Sequence, residues 1–144
     1  MNFLDTNFLF GIITGKDEWT KEMVNKHFIL SQDTFTFISI VSKAELLTHA
    51  KINNWGKKKM DAVSSLLENV KIVEINNDQK LIDRYIEIDV FSRRNKMGAI
   101  RMGKNDLWIA SQASILKCKL FTLDKDFNHL IESGFIPEII VKNS

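Results

Sequence analysis

The chain has one cysteine, one proline and six glycines in 144 residues. Cys118 has no partner for an internal disulfide, so the core must hold the fold unaided, as in a reducing cytoplasm. So little proline, with no Gly/Ser-rich or low-complexity stretch, argues against a linker. One domain over residues 1–144 is expected. No apolar run approaches the roughly 18 residues that a membrane span needs. The N-terminus has no basic region followed by a long apolar stretch, which speaks against a signal peptide. A cytoplasmic protein with no membrane contact is expected. The three histidines, His27, His49 and His129, show no ligand spacing. No His/Ser/Asp or Cys/His set suggests nucleophilic catalysis.

What is present is an ordinary globular composition, 44% apolar and 26% charged. The alternation of apolar segments follows two periods. Asn2-Phe3-Leu4 is a very short apolar run ending at Asp5, and Asn7 can cap a helix from Phe8. A helix from about Thr20 carries Val24 and Phe28. Residues 35–40 are rich in aromatic and β-branched types and read as a second strand, with Glu45 in the helix behind it. Met60, Val63, Leu66 and Leu67 form a helical stripe before a third strand at 70–75. Leu81, Tyr85, Ile88 and Phe91 mark a further helix ending near Asn95, followed by a glycine-containing loop to Gly103. Asn105 is expected to cap a helix from Asp106 to about Leu116. Strand four covers 120–122, a short helix from Phe127 stops at Gly134, and strand five covers 138–141. Strands alternating with helices predict a mainly parallel sheet covered on both faces, a three-layer α/β/α sandwich.

Against that frame, four carboxylates occupy suggestive positions: Asp5, Glu45, Asp106 and Asp124. Each follows an apolar run or opens a helical pattern. In an open parallel sheet the carboxyl ends of the strands share one edge, and binding sites form there. Acids gathered on that edge repel one another unless a cation holds them. Magnesium and manganese favour carboxylate oxygen and water ligands, so the pattern points to a metal site and to phosphate chemistry. Thr122 can hydrogen-bond a ligand or water near Asp124, and Asn7 can orient Asp5.

The net charge of +2 hides a division. Setting the four acids aside leaves 20 basic against 14 acidic residues. The excess gathers at Lys57-Lys58-Lys59 and along Arg93, Arg94, Lys96, Arg101 and Lys104. A basic surface around an acidic pit suits a polyanion bound beside a metal. Solvated helix ends are the plainer reading, above all for Lys57 to Lys59. Trp19 and Trp55 flank helices, where packing outweighs base stacking as an explanation.

The residues carry a resemblance. Leu4-Asp5-Thr6-Asn7, Ala44-Glu45-Leu46, Asn105-Asp106-Leu107-Trp108-Ile109-Ala110 and Thr122-Leu123-Asp124-Lys125-Asp126-Phe127 resemble, in order, the four acidic motifs of the PIN domain family. Nearly the whole chain is similar to its small VapC-type toxin ribonucleases. The resemblance implies a five-stranded sheet in the order 3-2-1-4-5. It implies magnesium- or manganese-dependent cleavage of RNA, neutralisation by a cognate antitoxin protein, and a homodimer. It makes Asp5, Glu45, Asp106 and Asp124 the catalytic, metal-binding carboxylates, with Asp126 as a candidate fifth acid. Whether one or two ions bind stays open.

Three rivals share this sheet architecture or fold. A phosphorylated receiver module wants an acidic pair after strand one and an acceptor Asp after strand three. Here Asp5 stands alone, and the third strand runs on as Glu74-Ile75-Asn76-Asn77. An aspartyl-nucleophile phosphatase wants Asp at the first and third positions of its opening motif, and the third is Asn7. The remaining alternative is a non-toxin PIN-like module that binds or processes RNA with weak or no nuclease activity.

Overall fold

Leu4 and Phe121 point one way and Phe3 and Leu120 the other, and this alternation organises the molecule. The computed structural model describes residues 1–143. Among these residues five strands, β1 (Asn2–Leu4), β2 (Thr36–Ser39), β3 (Lys71–Val73), β4 (Lys119–Thr122) and β5 (Glu138–Val141), form one sheet. The order is β3-β2-β1-β4-β5, and every pairing is parallel. This is the strand order that the PIN resemblance implies, in the parallel sheet expected from the alternation of strands and helices.

Among the described residues, six α-helices complete the layers: α1 (Thr6–Thr14), α2 (Glu18–Lys26), α3 (Ile40–Ile52), α4 (Lys57–Glu68), α5 (Gln79–Arg93) and α6 (Lys104–Ile115). A 3₁₀-helix spans Lys125–Leu130. On one face, Phe3 and Leu120 pack with Ile88 of α5 and with Leu107, Ile109, Ala110 and Ala113 of α6. On the other, Leu4, Ile38 and Phe121 pack with Phe8 and Leu9 of α1, Met23 of α2, and Val63 and Leu66 of α4. The inner strands are buried on both faces, as parallel strands between two helical layers must be. Phe3, Phe8 and Phe121 are fully buried. Burying each such side chain stabilises the fold by about 2–3 kcal/mol relative to exposure. α3 packs against both α1 and α6, so it closes the carboxyl end of the sheet.

Local chemistry sets the helix ends. Asp5, Asp17, Ser39 and Asp78 cap α1, α2, α3 and α5 with their side-chain oxygens. Gly15 ends α1 at φ 64°, where a side chain is strained. Gly11 serves packing: a Cβ there would lie 2.6 Å from Thr20 Oγ1, so the glycine lets α1 and α2 touch.

Several boundaries differ from the sequence expectation. Helix α1 starts at Thr6, because Asp5 caps it instead of Asn7. Helix α6 starts at Lys104 after Gly103, with no side-chain cap, so Asn105 lies within the first turn. Helix α2 ends before Phe28, which takes φ 52° and is exposed rather than facing the core. Strand β3 is shorter than the apolar stretch around it, as β2 offers it only three register partners. The segment after Asp124 is a 3₁₀-helix beginning at Lys125, not an α-helix from Phe127. Among the described residues, no helix is long and apolar enough to cross a membrane.

Candidate functional site

Strands β1 and β4 are neighbours at the point where the strand order reverses, and chain connections leave in opposite directions there. Asp5 follows β1 and Asp124 follows β4, so both stand at this crevice. Glu45 comes from α3 and Asp106 from the first turn of α6.

Asp5 is the anchor, with 3% of its surface exposed. Its Oδ1 accepts the Thr6 backbone N–H at 2.7 Å, and its Oδ2 accepts the Thr122 hydroxyl at 2.6 Å. The Thr122 oxygen in turn accepts the Asp124 N–H at 2.9 Å. Asp124 Oδ1 accepts the Asp126 N–H at 2.8 Å, which caps the 3₁₀-helix. One hydrogen-bonded line thus ties the end of β4 to the end of β1. Asn7 reinforces it: its Oδ1 accepts the Leu123 N–H at 3.0 Å. Asn7 therefore clamps the turn after β4 and caps no helix; it reaches Asp5 only through the Thr122 hydroxyl, 3.4 Å from its Oδ1.

Glu45 is held from the same corner. The Thr6 hydroxyl donates to Glu45 Oε1 at 2.9 Å, and the Ser42 hydroxyl oxygen lies 2.8 Å from that of Thr6. Neither Thr6 nor Ser42 stood out in the sequence. The available signal was spacing, since Ser42 lies three residues before Glu45 and shares its helix face.

The acids also sense one another electrostatically. Burial pushes Asp5 up to about 6; the Thr122 and Thr6 hydrogen bonds oppose this, and the charges of Asp124 and Glu45 add to it. Burial pushes Asp106 up to about 7, with Asp5, Asp124, Glu45 and Asp126 all contributing repulsion. The donors are all carboxylate oxygens, which suits a hard divalent cation, and their repulsion is what such a cation relieves. The side chains stand apart, however. Among the described residues, no group of three or more His, Cys, Asp or Glu is disposed to hold a metal ion as it stands.

The basic residues divide. Lys57 pairs with Asp61 at 3.0 Å and Arg93 with Asp89 at 2.8 Å, each within its own helix. Arg94 and Lys96 line a hollow with Glu87, Phe91 and Phe135. Arg101 and Lys104 are exposed, and Lys104 shares a depression with Glu45 and Asp106. The plainer readings of the histidines hold for their contacts. His129 Nε2 lies 2.7 Å from the Ser92 hydroxyl, His27 abuts Phe121, and His49 abuts Phe10. Burial pushes His27 and His129 down. Trp19 packs edge-on to Phe8, Trp108 leans on Tyr85 at 4.4 Å, and Cys118 is buried.

Comparisons with known proteins agree with this architecture. No curated protein matches the chain. Among solved structures, VapBC2 from Rickettsia felis, bound to a DNA fragment from its promoter, is 25% identical with a TM-score of 0.66. That alignment covers 99% of this chain and 97% of the other. VapBC-1 from nontypeable Haemophilus influenzae is 20% identical, with a TM-score of 0.67 over 99% of this chain and 96% of that one. FitAB bound to an IR36 DNA fragment is 19% identical, with a TM-score of 0.74 over 98% and 94%. At 20% and 19% identity the last two speak for the fold alone. The family model for the PIN domain matches residues 3–132, and the chain belongs to the PIN domain family.

Proposed function

We propose that this chain is a magnesium- or manganese-dependent endoribonuclease, the VapC-like toxin of a type II toxin–antitoxin pair, formed as a single PIN-like domain over residues 1–144. The observation that carries the reading is the placement of Asp5, Glu45, Asp106 and Asp124 along one edge, where burial first, and then the charges of the other acids, raise Asp106 to about 7. An acidic edge of this kind is poorly matched to a polyanion without a cation between them. Asp5, Glu45, Asp106 and Asp124 are the residues that would hold it. A bound magnesium or manganese ion supplies Lewis acidity at the scissile phosphate and a water acidic enough to attack it.

The chain's own residues have distinct tasks in this reading. Thr122 and the Thr6 N–H favour the ionised form of Asp5, so that it can act as a ligand near neutral pH. Thr6 holds Glu45. Asp106, raised to about 7 mainly by burial, gives up its proton as positive charge arrives. Arg94, Arg101 and Lys104 receive the RNA backbone beside the cut. The likeness to VapBC2 of Rickettsia felis supports an antitoxin protein as partner, and the family pattern supports a homodimer in the cytoplasm.

One observation favours a second reading. The acids form no ready-made ligand set among the described residues, as suits a PIN-like module that binds or processes RNA with weak or no nuclease activity. Inducing the chain in cells and mapping new RNA 5′ ends against an Asp5→Asn control separates the two. New ends that vanish in the control support the toxin nuclease. Identical end maps leave the binding module. A small DNA-binding protein encoded next door that suppresses the new ends supports the antitoxin partnership.

A further inference from the structure

A second hollow adjoins the acids. It measures about 450 Å³ and is lined by Phe10, Ala44, Glu45, His49, Ile52 and Asn105, among others. Glu45 and Asn105 also line the depression that contains Asp106. The two spaces therefore share a wall, and that wall carries one of the acids.

The hollow has an aromatic floor. The Phe10 and His49 ring centroids are 4.6 Å apart, and Trp55 backs both, at 6.2 Å from Phe10 and 5.5 Å from His49. Lys59 Nζ lies 5.2 Å above the Trp55 ring. Ile52 is apolar, yet 73% of its surface is exposed. His49 and Asn105 are exposed as well.

We propose that this hollow seats one unstacked nucleobase of single-stranded RNA, next to the phosphodiester at the acids, and so sets a base preference beside the cut. The proposal rests on the endoribonuclease reading above. Proteins that bind single strands splay bases out and stack them on aromatic side chains. The exposed His49 ring offers a stacking face, and Ala44 and Ile52 offer an apolar wall. The Asn105 amide carries a donor and an acceptor, which is what the edge of a base requires. Lys59 supplies positive charge beyond the aromatic floor, where the next phosphate of a strand leaving the hollow would pass. A neutral base tolerates Glu45 in the wall, whereas an acidic protein segment does not. An apolar protein side chain would use the wall but leave Asn105 and Lys59 without a role.

The test is a binding walk that needs no turnover. A fluorescein-labelled RNA octamer of mixed sequence is titrated by anisotropy against the Asp106→Asn chain in magnesium. The octamer is then remade with one abasic position moved along its length. An abasic site at one position should weaken binding about tenfold, the scale of one base–aromatic stack. Adding His49→Ala and Ile52→Asp, both at exposed positions, should abolish that positional penalty. In the otherwise native chain, the same pair of substitutions should change the base frequency beside the cut and raise KM more than it lowers kcat. The proposal is overturned if the octamer does not bind, if no position matters, or if the penalty survives the two substitutions. It is equally overturned if those substitutions leave the walk unchanged and abolish binding of a partner protein. A positional penalty in a chain that never cuts RNA would refute the nuclease reading while leaving the base site standing.

Discussion

Thr122 and Asp5 lie 117 residues apart in the chain and share a 2.6 Å hydrogen bond at the centre of the acidic edge. The same threonine oxygen accepts the Asp124 N–H, so one side chain sets the position of two acids. Thr122→Val keeps the strand-forming shape and removes the donor. Asp5 should then move above about 6, because the Thr122 bond is the largest effect holding it down. RNA cleavage at pH 7 should fall by about 10- to 100-fold, as for groups that position metal ligands. The acidic limb of the pH–rate profile should shift to higher pH. An unmoved limb would show that Thr122 does not support Asp5.

Stability should also depend on pH through Asp5. Its folded value of about 6 lies above the ordinary 3.8. Between those values the folded state holds more protons than the unfolded one, so stability falls as pH rises through the window. Asp5→Asn removes this dependence. In chelator, the variant should melt close to the parent near pH 4 and above it at pH 8, by up to roughly 3 kcal/mol. Magnesium should raise the parent's melting temperature at pH 8 and leave that of the variant nearly unchanged. A parent that grows more stable from pH 5 to 8 in chelator would contradict the burial-raised Asp5.

Much of this arrangement was legible in the sequence, though not all of it. Strands β1 and β5 fall where the apolar runs place them, and alternating strands and helices led to the parallel sheet. The four acids were visible because each follows a strand or sits on a helix. The cross-chain contacts were not. Asn7 could satisfy its own helix or reach the Leu123 N–H, and only the packing of β1 beside β4 decides between them. Asn105 sits where a cap residue is expected, yet the chain before it extends at Gly103 and α6 starts two residues sooner. Thr6 and Ser42 are common polar residues whose meaning appears only when α1 and α3 touch.

The proposed metal dependence rests on four carboxylates as the groups that would hold the ion. Cleavage should require magnesium or manganese and stop in chelator. Calcium should support RNA binding with little turnover, since its larger, looser coordination sphere misplaces the attacking water. Full activity in chelator, with no carried-over metal, would sink the metal account.

The basic run before α6 should hold phosphates rather than read bases. Arg93 is occupied by Asp89, which makes Arg94 and Arg101 the residues to change. Arg94→Ala with Arg101→Ala should raise KM for RNA with a smaller effect on kcat. The slope of log affinity against log salt should become shallower by up to about two. Cleavage sites should stay the same, because phosphate contacts position a substrate without specifying it. Unchanged affinity and slope would move the RNA path toward Lys58 and Lys59.

The most direct test of the central claim is cleavage of RNA by the purified chain beside its Asp106→Asn variant, in magnesium, with circular dichroism confirming that both are folded. Asp106 lies in the first turn of α6 and feels the charge of every other acid on the edge. The account predicts cleavage by the parent and a loss of at least roughly 100-fold in the variant, at or beyond the upper end of what changes to supporting residues cause. A folded Asp106→Asn chain that cuts RNA at a near-parental rate would contradict it.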